Sequence, residues 1–157
     1  IGVMLLDVDH FKSINDTHGH TVGDLVLKHI ADLIQEQSRD SDIVVRWGGE
    51  EFLVAASAIS NEALHIWSEK IRTHVESVPF IDEKRGLNLN ITISIGYATG
   101  GEDGNWQSLI EIADFCLYQA KAQGRNCSRG LEHSEMEYSN MEGELSSEQI
   151  ALWLRGS

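Results

Sequence analysis

The chain has 157 residues, 41% of them hydrophobic, with 12 Lys plus Arg against 25 Asp plus Glu and a formal charge of -13. At this length folding buries roughly two-thirds of the unfolded surface, so the composition describes one domain with a real core and excludes a mainly disordered chain. The acidity disfavours nucleic-acid polymers and anionic membrane faces, no apolar run nears the roughly 20 residues of a membrane helix, and Cys116 and Cys127 are too few for a disulfide framework.

Residues 3–6 form a short apolar run ending in Asp7-Val8-Asp9, the pattern of a central strand that delivers carboxylates to a sheet edge. After a polar turn, Thr21 is placed to cap a helix in which Val22, Val26, Ile30, Leu33 and Ile34 recur at helical spacing. Two apolar runs, 43–47 and 52–56, flank Gly48-Gly49-Glu50-Glu51 and predict a hairpin. Ser60 or Asn61 opens a second helix through Leu64, Trp67, Ile71 and Val75, closed before Pro79. The alternation Leu87, Leu89, Ile91, Ile93, Ile95 predicts one long strand, released into a loop by Gly96 and the Gly100-Gly101 pair. A third helix is expected over 106–123, with Gly124 as its stop. Residues 131–157 carry 6 of the acids and only Arg155, and read as a flexible acidic extension of a domain spanning 1–130, with Ser147 able to cap a short amphipathic turn. The order strand, helix, strand, strand, helix, strand, helix describes an α/β (α+β) sandwich with helices on a mixed, largely antiparallel sheet.

Asp7 and Asp9 at one element end, and Glu50 and Glu51 in the hairpin turn, gather carboxylates that repel one another. A cation such as Mg²⁺ or Mn²⁺ relieves that repulsion and takes its remaining ligands from water and substrate phosphate, which points to phosphoryl or nucleotidyl transfer; a solvated acidic rim is the competing reading. The glycine pair suits either a close-approaching ligand or a simple tight turn. The histidines, including His18 and His20, lack zinc-like spacing.

Gly48-Gly49-Glu50-Glu51-Phe52 together with Asp7-Val8-Asp9-His10-Phe11-Lys12, Asn15-Asp16 and Gly19-His20-Thr21-Val22-Gly23-Asp24 resembles the GGDEF family of diguanylate cyclases, in its GGEEF form. The likeness continues in order through Thr92-Ile93-Ser94-Ile95-Gly96, Leu117-Tyr118-Gln119-Ala120-Lys121 and Gly124-Arg125-Asn126, covering about residues 1–130. The family's amino-terminal helix, with its Leu-Thr-Gly-Leu-x-Asn-Arg motif, would precede Ile1.

The resemblance implies the nucleotide cyclase and polymerase-palm fold, and condensation of two GTP into cyclic di-GMP and two pyrophosphates across a homodimer. It implies two Mg²⁺ (or Mn²⁺) per GTP half-site on Asp7, Glu50 and the Val8 carbonyl, with Glu51 assisting deprotonation. Asn15 and Asp24 match guanine readers; Phe11, Lys12, Lys121 and Arg125 match phosphate contacts, the last two read as one helical turn apart. Arg39 and Asp42, with Lys70 on the second helix, match a product-inhibition site, although an isolated RxxD is also a common helix-end contact. An upstream sensor or receiver domain, a cytoplasmic location and no contact with membrane or nucleic-acid polymer are further expectations. A module that binds GTP or cyclic di-GMP without turnover is the alternative.

Overall fold

The computed structural model describes residues 1–100 and 105–131; the expectations for the acidic extension and its Ser147 cap lie outside the described residues. Strand β1 (Gly2–Val8) is buried along its whole length because it occupies the middle of a five-stranded sheet ordered β2-β3-β1-β6-β7. Its neighbours β3 (Glu51–Ala56) and β6 (Ile93–Thr99) run antiparallel to it, as does the edge strand β2 (Ile43–Arg46) to β3, whereas β7 (Ser128–Gly130) joins β6 in parallel. A central strand has both faces covered, so its side chains read as a continuous apolar run rather than an alternation.

Met4, Leu6 and Val8 point to one face and pack against α2 (His20–Glu36) and α3 (Asn61–Ser77) through Val26, Ile30, Ile34, Leu64 and Ile71. Val3 and Leu5 point to the other face and meet α4 (Trp106–Ala122) through Leu109, Ala113 and Leu117. The predicted helical periodicities therefore mark true buried stripes. The Ser60 cap forms as expected, its Oγ accepting the Ala63 N–H at 3.1 Å.

Four expectations change. The polar turn after β1 is a helix, α1 (Phe11–His18), whose short apolar face is buried Phe11 and, three residues on, half-buried Ile14. Gly19, at φ 88, breaks α1 from α2, so the second helix begins at His20 without the Thr21 side-chain cap. The long alternation splits: β5 (Leu87–Leu89) pairs with β4 (Phe80–Asp82) in a separate ribbon, and β6 begins at Ile93. The isoleucines and leucines share an alternation because both segments supply the same core, not because they form one strand.

Gly96 does not end β6 but lies within it. A Cβ there would sit 2.0 Å from the Ala113 carbonyl oxygen and 2.2 Å from the Leu117 nitrogen. Its missing side chain is what lets α4 lie directly on β6.

Candidate active site

The chemistry-bearing residues collect where β1 ends. Asp7 lies opposite Glu51 on β3 and Ser94 on β6, and the Val8 N–H donates to the Glu50 carbonyl at 3.2 Å, which ties the hairpin turn to the strand end. Asp7 is only 5% exposed. From α4, Lys121 brings Nζ to 2.7 Å from Asp7 Oδ2. Burial nevertheless outweighs this cation and holds the Asp7 carboxyl above its ordinary pKa, with the nearby Asp9 charge adding to the rise. Burial and then the Asp7 charge likewise raise Glu50 and Glu51. The Asp7 and Glu50 carboxyls are also hydrogen-bond partners. The carboxylates sequence reading grouped here are thus costly to ionise together.

Asp9 lines the same cavity as Asp7 and Glu50 but is engaged by other partners. It accepts hydrogen bonds from Ser94 Oγ at 2.6 Å, Thr92 Oγ1 at 2.7 Å and the Asn126 N–H at 3.0 Å. Neutral donors satisfy it, so its role is to tie β1, β6 and the chain after α4 together. Thr92 and Ser94 stand two residues apart, a spacing that places both on one face of an extended chain.

A cavity of about 450 Å³ opens over these residues, lined by Asp7, Val8, Phe11, Lys12, Glu50, Lys121 and Arg125 among others. It brings together the metal-ligand candidates and all four phosphate candidates. Arg125, however, is not on the helix with Lys121: α4 ends at Ala122, and Arg125 follows Gly124 in a left-handed conformation at φ 63. Glu51 does not line the cavity. Hard oxygen donors from Asp7, Glu50 and the Val8 carbonyl suit a divalent ion, and the raised carboxyl pKa values are what an absent cation would relieve. Among the described residues no group of three or more His, Cys, Asp or Glu is disposed to hold a metal, so the chain supplies a partial shell that water and phosphate oxygens must complete.

The guanine candidates occupy different surroundings. Asn15 Oδ1 is buried and has no hydrogen-bond partner. Gly23 makes room for it, since a Cβ at that position would lie 1.8 Å from Asn15 Oδ1. Asp24 is exposed on α2 and lines a separate cavity of about 340 Å³ with Lys28, Arg46 and Phe52.

Arg46 is a residue that sequence reading missed. Its guanidinium donates from Nη2 to the Gly49 carbonyl at 2.8 Å and from Nε to the Gly48 carbonyl at 3.4 Å, bracing the turn that carries Glu50. A cation two residues before a glycine pair, whose carbonyls no side chain shields, was the available signal.

Arg39, Asp42 and Lys70 line one cavity of about 950 Å³ together with Ile66 and Trp67. Asp42 Oδ2 accepts the backbone N–H of Arg39 at 2.7 Å, which leaves the Arg39 guanidinium outside that contact. The local turn contact and a shared cavity coexist. Trp67 is anchored there by its Nε1, which donates to the Gln37 carbonyl at 2.7 Å.

The sequence model described as diguanylate cyclase, GGDEF domain, matches residues 1–127. Diguanylate cyclase A of Treponema denticola is 39% identical over 127 residues, which are 80% of this chain and 34% of that protein. Response regulator PleD of Caulobacter vibrioides is 44% identical over 133 residues, 83% of this chain and 29% of that protein. The chain therefore spans about a third of the length of these curated relatives. Among solved structures, the GGDEF domain of DgcB from Caulobacter crescentus in complex with c-di-GMP superposes with a TM-score of 0.77 at 33% identity, covering 82% of this chain and 76% of that one. The active GGEEF domain of a diguanylate cyclase from Vibrio cholerae gives 0.75 at 31% identity, covering 84% and 83%.

Proposed function

The chain belongs to the diguanylate cyclase GGDEF-domain family, and from that premise we propose that it condenses two GTP into cyclic di-GMP across a homodimer. Each GTP offers its 3′-hydroxyl to the α-phosphorus of the other; two phosphodiester bonds form, two phosphoanhydride bonds break and two pyrophosphates leave. One chain holds one GTP, so two half-sites must face each other.

The observation that carries this reading is the convergence on one cavity of two carboxyls whose pKa values burial raises, Asp7 and Glu50, with three cations, Lys12, Lys121 and Arg125. Such a mixture of signs suits a metal–triphosphate and little else. Asp7, Glu50 and the Val8 carbonyl hold the divalent ions, Mg²⁺ or Mn²⁺ at two per half-site. When bound, these lower the pKa of the attacking hydroxyl and offset charge building at phosphorus. Lys121, paired with Asp7 here, would turn to phosphate oxygen if a bound ion neutralised that carboxylate. Lys12, Arg125 and the backbone N–H at Phe11 complete the phosphate contacts. Glu51 assists removal of the hydroxyl proton. Asn15 and Asp24 take the guanine edge, where an aspartate accepts from N1–H and the 2-amino group; adenine offers no such pair, and a missing partner costs about 1–3 kcal/mol.

Product cyclic di-GMP inhibits by binding the Arg39–Asp42–Lys70 cavity, where guanidinium and ammonium meet guanine edges and phosphates. An upstream sensor or receiver domain controlling dimerisation, and a cytoplasmic location, belong to the same proposal; no helix among the described residues is long and apolar enough to cross a membrane.

Incubating the chain with GTP and Mg²⁺ and separating nucleotides by chromatography tests the reaction: cyclic di-GMP forms, and Glu50→Ala abolishes it. GTP bound stoichiometrically by a dimer without product supports the binding-module alternative instead. Calorimetry with cyclic di-GMP tests the second cavity, where Arg39→Ala abolishes binding; equal binding by both proteins refutes it.

A further inference from the structure

After α4 the chain makes an unusual exit. Gly124, Arg125 and Asn126 have φ values of 113, 63 and 44, three successive residues on the left-handed side. Glycine adopts that conformation freely and asparagine tolerates it, but an arginine there is disfavoured and persists only where its surroundings hold it. The first hold is the Arg125 N–H, which donates to the Ala120 carbonyl at 3.0 Å. The others all act on Asn126. Its backbone N–H donates to Asp9 Oδ2 at 3.0 Å, its Oδ1 accepts from Arg72 Nη1 at 2.9 Å, and its Nδ2 donates to Glu76. Arg72 is in turn paired with Glu69 and lies 3.5 Å from Glu76. Both ends of the Asn126 amide are thus gripped by α3, 50 or more residues away in sequence. The neighbouring Arg125 guanidinium makes no ion pair among the described residues and lines the cavity beneath Asp7 and Glu50.

We infer that Asn126 is a positioning residue: clasped by Arg72 and Glu76 of α3 and tied to Asp9, it holds the left-handed turn that aims Arg125 at the nucleotide phosphates. This rests on the phosphate role proposed for Arg125. Asn126, Arg72 and Glu76 do not line the cavity, so their clasp acts on the nucleotide through Arg125. Without it the turn relaxes toward ordinary φ, and the Arg125 side chain departs from the cavity with its backbone. Helix α3 also carries Lys70, which lines the other cavity.

The test uses the full chain with GTP–Mg²⁺ and, in parallel, guanosine, which has no phosphate. Asn126→Gly removes the amide while leaving positive φ accessible. It weakens GTP roughly tenfold, the loss expected for one misplaced charge-assisted contact, and leaves guanosine binding and the melting curve close to wild type. Arg72→Ala reproduces much of the loss from outside the cavity. In an Arg125→Ala background Asn126→Gly adds nothing further, the non-additivity of residues acting as a unit. Additive losses, or wild-type GTP affinity in Asn126→Gly while Arg125→Ala is impaired, overturn the positioning role alone. Wild-type affinity in Arg125→Ala overturns the phosphate role of Arg125, and the positioning role with it.

Discussion

Lys121 and Asp7, 114 residues apart in sequence, meet at 2.7 Å across the α4 face of the sheet, the lysine a third exposed and the aspartate almost wholly buried. The pair is lopsided: removing the lysine leaves a charge buried without its cation, whereas removing the aspartate frees a lysine to reach water.

Lys121→Met should therefore destabilise the metal-free protein by roughly 1–3 kcal/mol at neutral pH, the usual cost of stranding a buried polar group. Urea unfolding reads the difference. The loss should shrink as the pH falls and Asp7 takes up a proton. A penalty of the same size at acid and neutral pH would show that lysine packing, not charge, is responsible.

Glu50→Gln should act in the opposite sense. Burial and the Asp7 charge raise the Glu50 pKa above its ordinary 4.5 in the folded state, so the folded protein binds that proton more tightly than the unfolded chain. The ionised form thus opposes folding, fully above the raised pKa and not at all below 4.5. The glutamine variant should melt higher than wild type at neutral pH without metal, by a few degrees for an effect on the order of 1 kcal/mol. The advantage disappears as the pH drops through the folded-state pKa. The variant should also form no product, since the substitution removes a proposed metal ligand.

Arg46→Ala releases the carbonyls of Gly48 and Gly49. Because these contacts are exposed, unfolding free energy should change by less than about 1 kcal/mol. Product formation should fall about tenfold, as expected when a reacting group is displaced by a fraction of an ångström. Unchanged turnover would show that the ladder between β1 and β3 positions Glu50 without help.

Gly96→Ala should cost about 3 kcal/mol or more in thermal unfolding, because the added methyl meets α4 backbone rather than a movable side chain. Gly49 has nothing within 4 Å of the same atom. Gly49→Ala should accordingly melt within about 0.5 kcal/mol of wild type. The contrast separates a glycine needed for close packing from one that stands in open space.

What the sequence made readable follows from which interactions are local. The periodic stripe from Val22 to Ile34, the cap at Ser60 and the carboxylate-terminated run ending in Asp7 depend on near neighbours, and each lies where expected. Asp9 does stand with Asp7 at the strand end, but spacing shows charge and not partners; Thr92, Ser94 and Asn126 reach it from 83 to 117 residues away. The alternation from Leu87 to Ile95 misled for a similar reason, as it reports which core is filled and not which strand is continuous. Helix α1 escaped notice because it is only eight residues long and its apolar face is just Phe11 and Ile14. Arg125 followed the helical count from Lys121 until a left-handed Gly124 carried the chain off the axis.

The absent side chain at Gly96 also bears on speed. With α4 backbone in contact with β6, and β6 laddered to β1, the Cα atoms of Lys121 and Asp7 belong to one stiff body. Any handover of the lysine ammonium from carboxylate to phosphate is then a swing about side-chain torsions, a motion of picoseconds to nanoseconds. On the proposed mechanism, turnover waits instead on slower events, the meeting of two loaded domains foremost among them.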